Sequence, residues 1–258
     1  MIVFMPGEGT SCYGCAIVPA FPAGSLGKQK SMASIAENIC KVRTQIASAE
    51  QTNGRPKGSV ILLAVSKTQS VAKIREAWSA GQLDFAENYV QEALAKMDTV
   101  LLPGSVWHFI GPIQTNKTRQ IAARFDWVHS VDRLKIADRL DAQRPDDKPP
   151  LNVCIQVNLS GEQSKSGVAL PDVPPLCEAI SRMKNLCLRG LMAIPAPCND
   201  PQQQRLTFRP LAALQQHLQQ QYPSLDTLSI GMSGDFEAAI AEGATMVRIG
   251  TAIFGHRD

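Results

Sequence analysis

A single TIM-type (β/α)8 barrel in the α/β class is the fold this sequence predicts, and three observations predict it. Eight short apolar runs recur along the chain, and segments of helical periodicity fall between them. Strict alternation of strand and helix implies parallel strands, since each crossover helix returns the chain to the same end of the sheet. The length of 258 residues matches the roughly 250 that such a barrel occupies as one unit. A doubly wound open sheet would give the same local pattern, and the number of units is what favours closure.

The first element is a helix. Ile35, Ile39, Val42 and Ile46 fall on one helical face, and Ser34 with Glu37 has the spacing of a capping box. The run SVILLAV over 59–65 is continuously apolar, as a strand buried on both faces must be. A helix over 71–80 follows, with Ser70 as N-cap and Gly81 at the C′ position. Further strands are expected over 83–86, 106–110, 127–130, 151–158, 188–193, 227–230 and 246–249. Between them, helical patterns cover 89–97, 117–125, 133–141, 173–183, 203–221 and 236–241. In the long helix, Leu206, Leu211, Leu214 and Leu218 form an apparent packing stripe.

Residues 1–30 are rich in Gly and Pro, lack periodicity, and read as a flexible extension preceding a barrel domain over 31–258. No basic start precedes their apolar run, so they do not read as a secretory signal. Apolar residues make up 44% of the chain and charged residues 19%, an ordinary globular balance. The net charge of +3 and the absence of a dense basic run argue against a nucleic-acid partner. No apolar stretch has the length of a membrane span. Seven cysteines, an odd number without repeated spacing, argue against a disulfide framework and for a reducing cytoplasm. Cys12 and Cys15 form a lone C-x-x-C with no second ligand pair, so no metal site is expected.

Barrel chemistry sits at the C-terminal ends of the strands. After the first strand comes Lys67, in AVSKTQ. A lysine at that place is expected to be poorly solvated, which lowers its pKa and exposes an amine able to form a Schiff base. Taken alone, a strand-end lysine reads mostly as a surface residue, since most lysines are exposed. The loops after strands seven and eight, SIGMSGD and RIGTAIFG, supply Ser233, Gly250 and Thr251, where barrels commonly hold phosphate on free backbone N–H groups. Either loop alone could be turn chemistry. Together, opposite the lysine, they favour a phosphorylated aldehyde. Arg248 closes the last strand, and alternation could turn its side chain into the mouth.

The segments AVSKTQ, FAENYVQE, WHFIGPIQTNK, RGLMAIP, SIGMSGD and MVRIGTAIFG resemble, in order, the motifs of the pyridoxal phosphate homeostasis protein family. That family is related to the N-terminal barrel of alanine racemase, a fold-type III barrel for pyridoxal 5′-phosphate (PLP). The resemblance implies that Lys67 carries PLP as a Schiff base and that Asn88 lies near the ring. Ser233, Gly250 and Thr251 would hold the phosphate, and Met192 would form a wall. Arg248 would face the pyridine nitrogen, where a permanent cation donates a hydrogen bond and keeps that nitrogen unprotonated, weakening the electron sink. His108 and Asn116 belong to the third motif without a derived role, and a satisfied structural histidine is the simpler reading of His108.

The resemblance also implies a PLP carrier or regulator without an established reaction, acting in vitamin B6 homeostasis and through it on amino-acid and keto-acid metabolism. The expected partners are PLP itself, amino acids and PLP-dependent recipient enzymes, with the carrier a monomer. Racemisation needs a base on each face of the cofactor. The chain ends eight residues after Gly250, and of Tyr13, Tyr89 and Tyr222 only Tyr89 is near the expected site. A weak amino-acid racemase is therefore the alternative. A Schiff-base aldolase ranks below it because its lysine commonly follows a later strand, and a scaffold binding a protein partner through the extension or the long helix is a fourth reading.

Overall fold

The computed structural model describes residues 33–160 and 166–255. Calls on the extension over 1–30, including Cys12, Cys15 and Tyr13, lie outside those residues. The described chain opens with α1 (Ile35–Thr52) and continues through β1 (Ile61–Val65), α2 (Val71–Ser79), β2 (Asp84–Glu87), α3 (Val90–Thr99) and β3 (Val106–Phe109). Next come α4 (Thr118–Arg124), β4 (Trp127–Val131), α5 (Leu134–Gln143), β5 (Leu151–Val157) and α6 (Val173–Ser181). The last part contains β6 (Leu186–Ala193), α7 (Pro201–Gln219), β7 (Thr227–Ser229), α8 (Phe236–Ala241), β8 (Met246–Ile249) and α9 (Thr251–Phe254).

All eight strands pair in parallel, and β1 pairs with β8 from Ile61↔Met246 to Ala64↔Ile249, closing the barrel. The open-sheet alternative is thereby excluded. Alternation along each strand separates two environments. Leu62, Ala64, Phe85, Phe109, Val128 and Val247 face the helices and belong to the large outer core. Leu63, Ala86, Ile110, Trp127, Cys154, Met192 and Met246 form a smaller cluster inside the barrel. The interior also buries His108, His129, Ser229 and Arg248.

Local signals explain the element ends. Ser34 and Glu37 complete the capping box reciprocally, Ser70 caps α2, and Gly81 takes φ 81° just beyond that helix, a conformation glycine adopts without a Cβ penalty. Two expectations require correction. The long helix begins earlier, at Pro201, with Asp200 as N-cap, and its buried face is Gln204, Phe208, Leu211, Ala212, Gln215 and Leu218. Leu206 is 52% exposed and outside that face, because the wheel is centred on Phe208 and Leu211 rather than on the leucines alone. The four-residue α9 was not anticipated, since one turn carries no periodicity.

Candidate functional site

The C-terminal ends of the strands enclose a cavity of about 300 Å³. Its lining includes Lys67 after β1, Asn88 after β2, Arg248 on β8, Ser233 after β7, and Gly250 and Thr251 at the start of α9. Val65, Ile110, Ile194 and Met232 supply apolar walls. Six of the seven expected site residues thus meet in one place. Met192 is not among the lining residues; it is fully buried in the interior cluster. The methionine on the cavity wall is Met232, from SIGMSGD.

Lys67 is half-buried rather than fully enclosed, and the segment around it is held from both sides. Lys96 of α3 donates to the Ser66 carbonyl at 2.7 Å, to Glu87 Oε1 at 2.7 Å and to Glu92 Oε1 at 2.6 Å. Ser66 Oγ donates to the same Glu87 oxygen at 2.6 Å. On the far side of Lys67, the Thr68 N–H donates to Glu92. Thr68 has φ 62°, a left-handed conformation that costs a β-branched residue of order 1–3 kcal/mol and persists only where the surroundings enforce it. Burial raises the Glu87 carboxyl above its ordinary range, opposed by Lys96 and Ser66. The residues before and after Lys67 are therefore fixed by a buried ion-pair cluster that sequence reading did not identify. Its visible trace was the Glu92–Lys96 pair at i,i+4, which usually marks a solvated helix face.

Asn88 is placed by a close backbone approach. A Cβ on Gly111 would lie 2.0 Å from the Asn88 carbonyl oxygen, so only glycine permits the β2 and β3 ends to meet this way. The Asn88 Oδ1 is buried and has no hydrogen-bond partner. Arg248 is 3% exposed. Its Nη1 donates to the Ser229 carbonyl and, at 2.9 Å, to Ser229 Oγ, and its Nη2 donates to the Ala193 carbonyl at 2.8 Å. Of its five donors, Nε and one Nη2 hydrogen have no such partner among the described residues. Burial lowers the guanidinium to about 10, opposed by the charge of Asp235, so it stays cationic at neutral pH. Ser233, Gly234 and Thr251 are exposed at the other end of the cavity. The first N–H groups of α9 lack intrahelical acceptors there, as in every helix.

His108 is fully buried, with Nδ1 3.0 Å from His129 Nε2 and Nε2 3.1 Å from Asp84 Oδ1. It makes structural contacts, as the simpler reading expected, and Asn116 is exposed and not among the lining residues. Burial, reinforced by His108 and Arg248, pushes the His129 imidazole well below its ordinary 6.5, so the folded protein holds it neutral. The unfolded chain binds the extra proton at pH values between the folded and ordinary pKa. Stability should therefore fall as pH drops below about 6.5, by up to about 1.4 kcal/mol per pH unit. Urea unfolding between about pH 7 and pH 5 should give this component as the difference in slope between the native protein and His129→Asn.

A parallel eight-stranded barrel with a lysine after its first strand and Gly-containing loops after its last two lining the same cavity defines a class. The chain matches the family model described as "Alanine racemase, N-terminal domain" over residues 32–258. It belongs to the pyridoxal phosphate homeostasis protein family within that class: the Pseudomonas aeruginosa protein of that name is 59% identical over 227 residues, 88% of this chain and 97% of the relative. PipY of Synechococcus elongatus PCC7942, solved with PLP bound, is 38% identical with a TM-score of 0.76, covering 86% of this chain and all of PipY, 100%. Alanine racemase from Corynebacterium glutamicum, 18% identical with a TM-score of 0.61, shares the fold over 86% of this chain and 60% of its own.

Proposed function

We propose that this protein binds PLP in the barrel mouth, with Lys67 as its covalent anchor, and acts in PLP homeostasis by holding and releasing the cofactor. The observation that carries this reading is the convergence of Lys67, Asn88, Arg248 and the Ser233, Gly250 and Thr251 rim on one cavity. The residues present fit the group. The cavity volume of about 300 Å³ is at the small end for ligand sites. Asn88 brings a buried acceptor without a partner. At Gly250 a Cβ would sit 3.3 Å from the Val65 carbonyl, so glycine lets the end of β8 lie close against β1 at the cavity rim. The P. aeruginosa relative carries PLP homeostasis in its name, and PipY was solved with PLP bound.

When bound, PLP supplies an aldehyde that condenses reversibly with an amine. Lys67 supplies that amine from a segment clamped on both sides. Ser233 and the N–H groups of Gly250 and Thr251 would hold the phosphate, and the apolar walls would flank the ring. Arg248 would offer a donor to the ring nitrogen and so would leave that nitrogen unprotonated, a poorer electron sink. Tyr89 is 56% exposed and not among the lining residues, so that tyrosine gives the racemase reading no support.

The carrier is proposed to be monomeric and to serve amino acids and PLP-dependent enzymes. Cytoplasmic residence is supported by the five described cysteines, all free. Among the described residues no helix is long and apolar enough to cross a membrane. Residues 1–30 are proposed as an extension outside the barrel domain, in keeping with a family match that starts at residue 32. Borohydride reduction of the PLP-treated protein, followed by peptide mapping, tests the anchor. The label is expected on Lys67; label confined to other lysines, or none at all, refutes the reading.

A further inference from the structure

A line of polar side chains crosses the barrel interior from the site to the opposite rim. It runs from Arg248 through Ser229, His129 and His108 to Asp84, with successive separations of 2.9, 2.9, 3.0 and 3.1 Å. These residues sit on β8, β7, β4, β3 and β2, so the line crosses directly from β7 to β4 and ends at the first residue of β2. The first four are at most 3% exposed. The Asp84 side chain is 28% exposed and lines a second cavity of about 410 Å³ together with Arg43 and Lys57.

The chemistry of the two ends sets the direction of every bond between them. A guanidinium only donates and a carboxylate only accepts. His108 must therefore carry hydrogen on Nε2 to reach Asp84. Its Nδ1 is then a lone pair, which requires His129 to donate from Nε2. The Nδ1 of His129 becomes the acceptor for the Ser229 hydroxyl, whose oxygen accepts in turn from Arg248. Each link is satisfied with both rings neutral, which agrees with the suppressed basicity of His129. Reversing the middle would require a buried proton on His108 as well as a third partner for Ser229 Oγ. Among the described residues that hydroxyl meets only His129 and Arg248.

We infer that Ser229, His129, His108 and Asp84 are positioning residues that form a one-way hydrogen-bond chain locking the Arg248 guanidinium, so that its unused hydrogens face the cofactor ring. The ring's part in this rests on the PLP-binding reading; the direction of the chain does not. Two measurements on the full chain separate these. Long-range nitrogen–proton correlation spectra of histidine-labelled protein without added PLP should show His108 and His129 both neutral and protonated at Nε2. A His129 protonated at Nδ1, or a cationic ring at either position near neutral pH, overturns the chain whatever PLP does.

The second measurement uses protein loaded with PLP. In Asp84→Asn and His108→Gln the visible band of bound cofactor should shift, and release of PLP to a phosphatase trap should accelerate at least threefold. Asp138→Asn, an exposed carboxylate on α5, should change neither. Lowered thermal stability with an unmoved band and unchanged release in both variants would make the chain merely structural and sink the positioning role. A native protein that takes up no PLP would refute the proposed function, while the tautomers would still judge the chain.

Discussion

Lys67→Ala is expected to abolish the borohydride-fixed PLP adduct and the visible band of the bound cofactor while leaving the fold intact. Lys67 lines the cavity and is half-buried, and it is not one of the outer-core residues. The Arg248 site and the rim at Ser233, Gly250 and Thr251 survive, so reversible binding through the phosphate should remain. Loss of the covalent link should weaken affinity on the order of 100-fold, about 2.7 kcal/mol. Absorbance titration with PLP reads the loss, and circular dichroism reads the fold. A band of native intensity in the variant would place the anchor elsewhere.

Lys96→Met is expected to cause the largest loss of stability. The lysine side chain is 7% exposed, and the Glu87 carboxylate it neutralises is fully buried. Removing one partner strands the other: the cost of breaking a buried pair is about 3–5 kcal/mol. For a chain of this length, each kcal/mol lowers the melting temperature by roughly 2–4 °C. Glu87 already has one buried oxygen without a partner, so little else can absorb the charge. In the double variant Lys96→Met, Glu87→Leu, most of the stability should return, because an apolar pair of similar volume often replaces a buried ion pair at little cost. PLP affinity should not return with it, since the Ser66 carbonyl still lacks its Lys96 donor. Equal recovery of stability and affinity would separate the clamp from the placement of Lys67.

The sequence carried the barrel because its evidence is local and repeated. Runs such as 59–65 and capping signals such as Ser34 with Glu37 are each readable in a short window. The cavity was also largely legible, because strand ends point to one face whenever strands are parallel, and that places Lys67, Asn88, Ser233, Gly250 and Thr251 together. Met192 lies outside the lining because alternation within β6 turns it into the interior cluster, where it packs with Ile110. The clamp escaped notice because Lys96 and Glu92 look like a surface pair until Glu87 is seen behind them. Ser229 and His129 are a hundred residues apart in sequence, and only closure of the barrel brings them into contact.

That closure joins β1 to β8, and it sets the order of events during synthesis. The lysine leaves the ribosome well before Arg248, Gly250 and Thr251, which lie far downstream of it. Domains fold as units, and contacts of the longest sequence separation form last. With Lys67 as the anchor proposed above, a nascent chain exposing it would present only an ordinary amine, and capture of the cofactor would wait until β8 has docked.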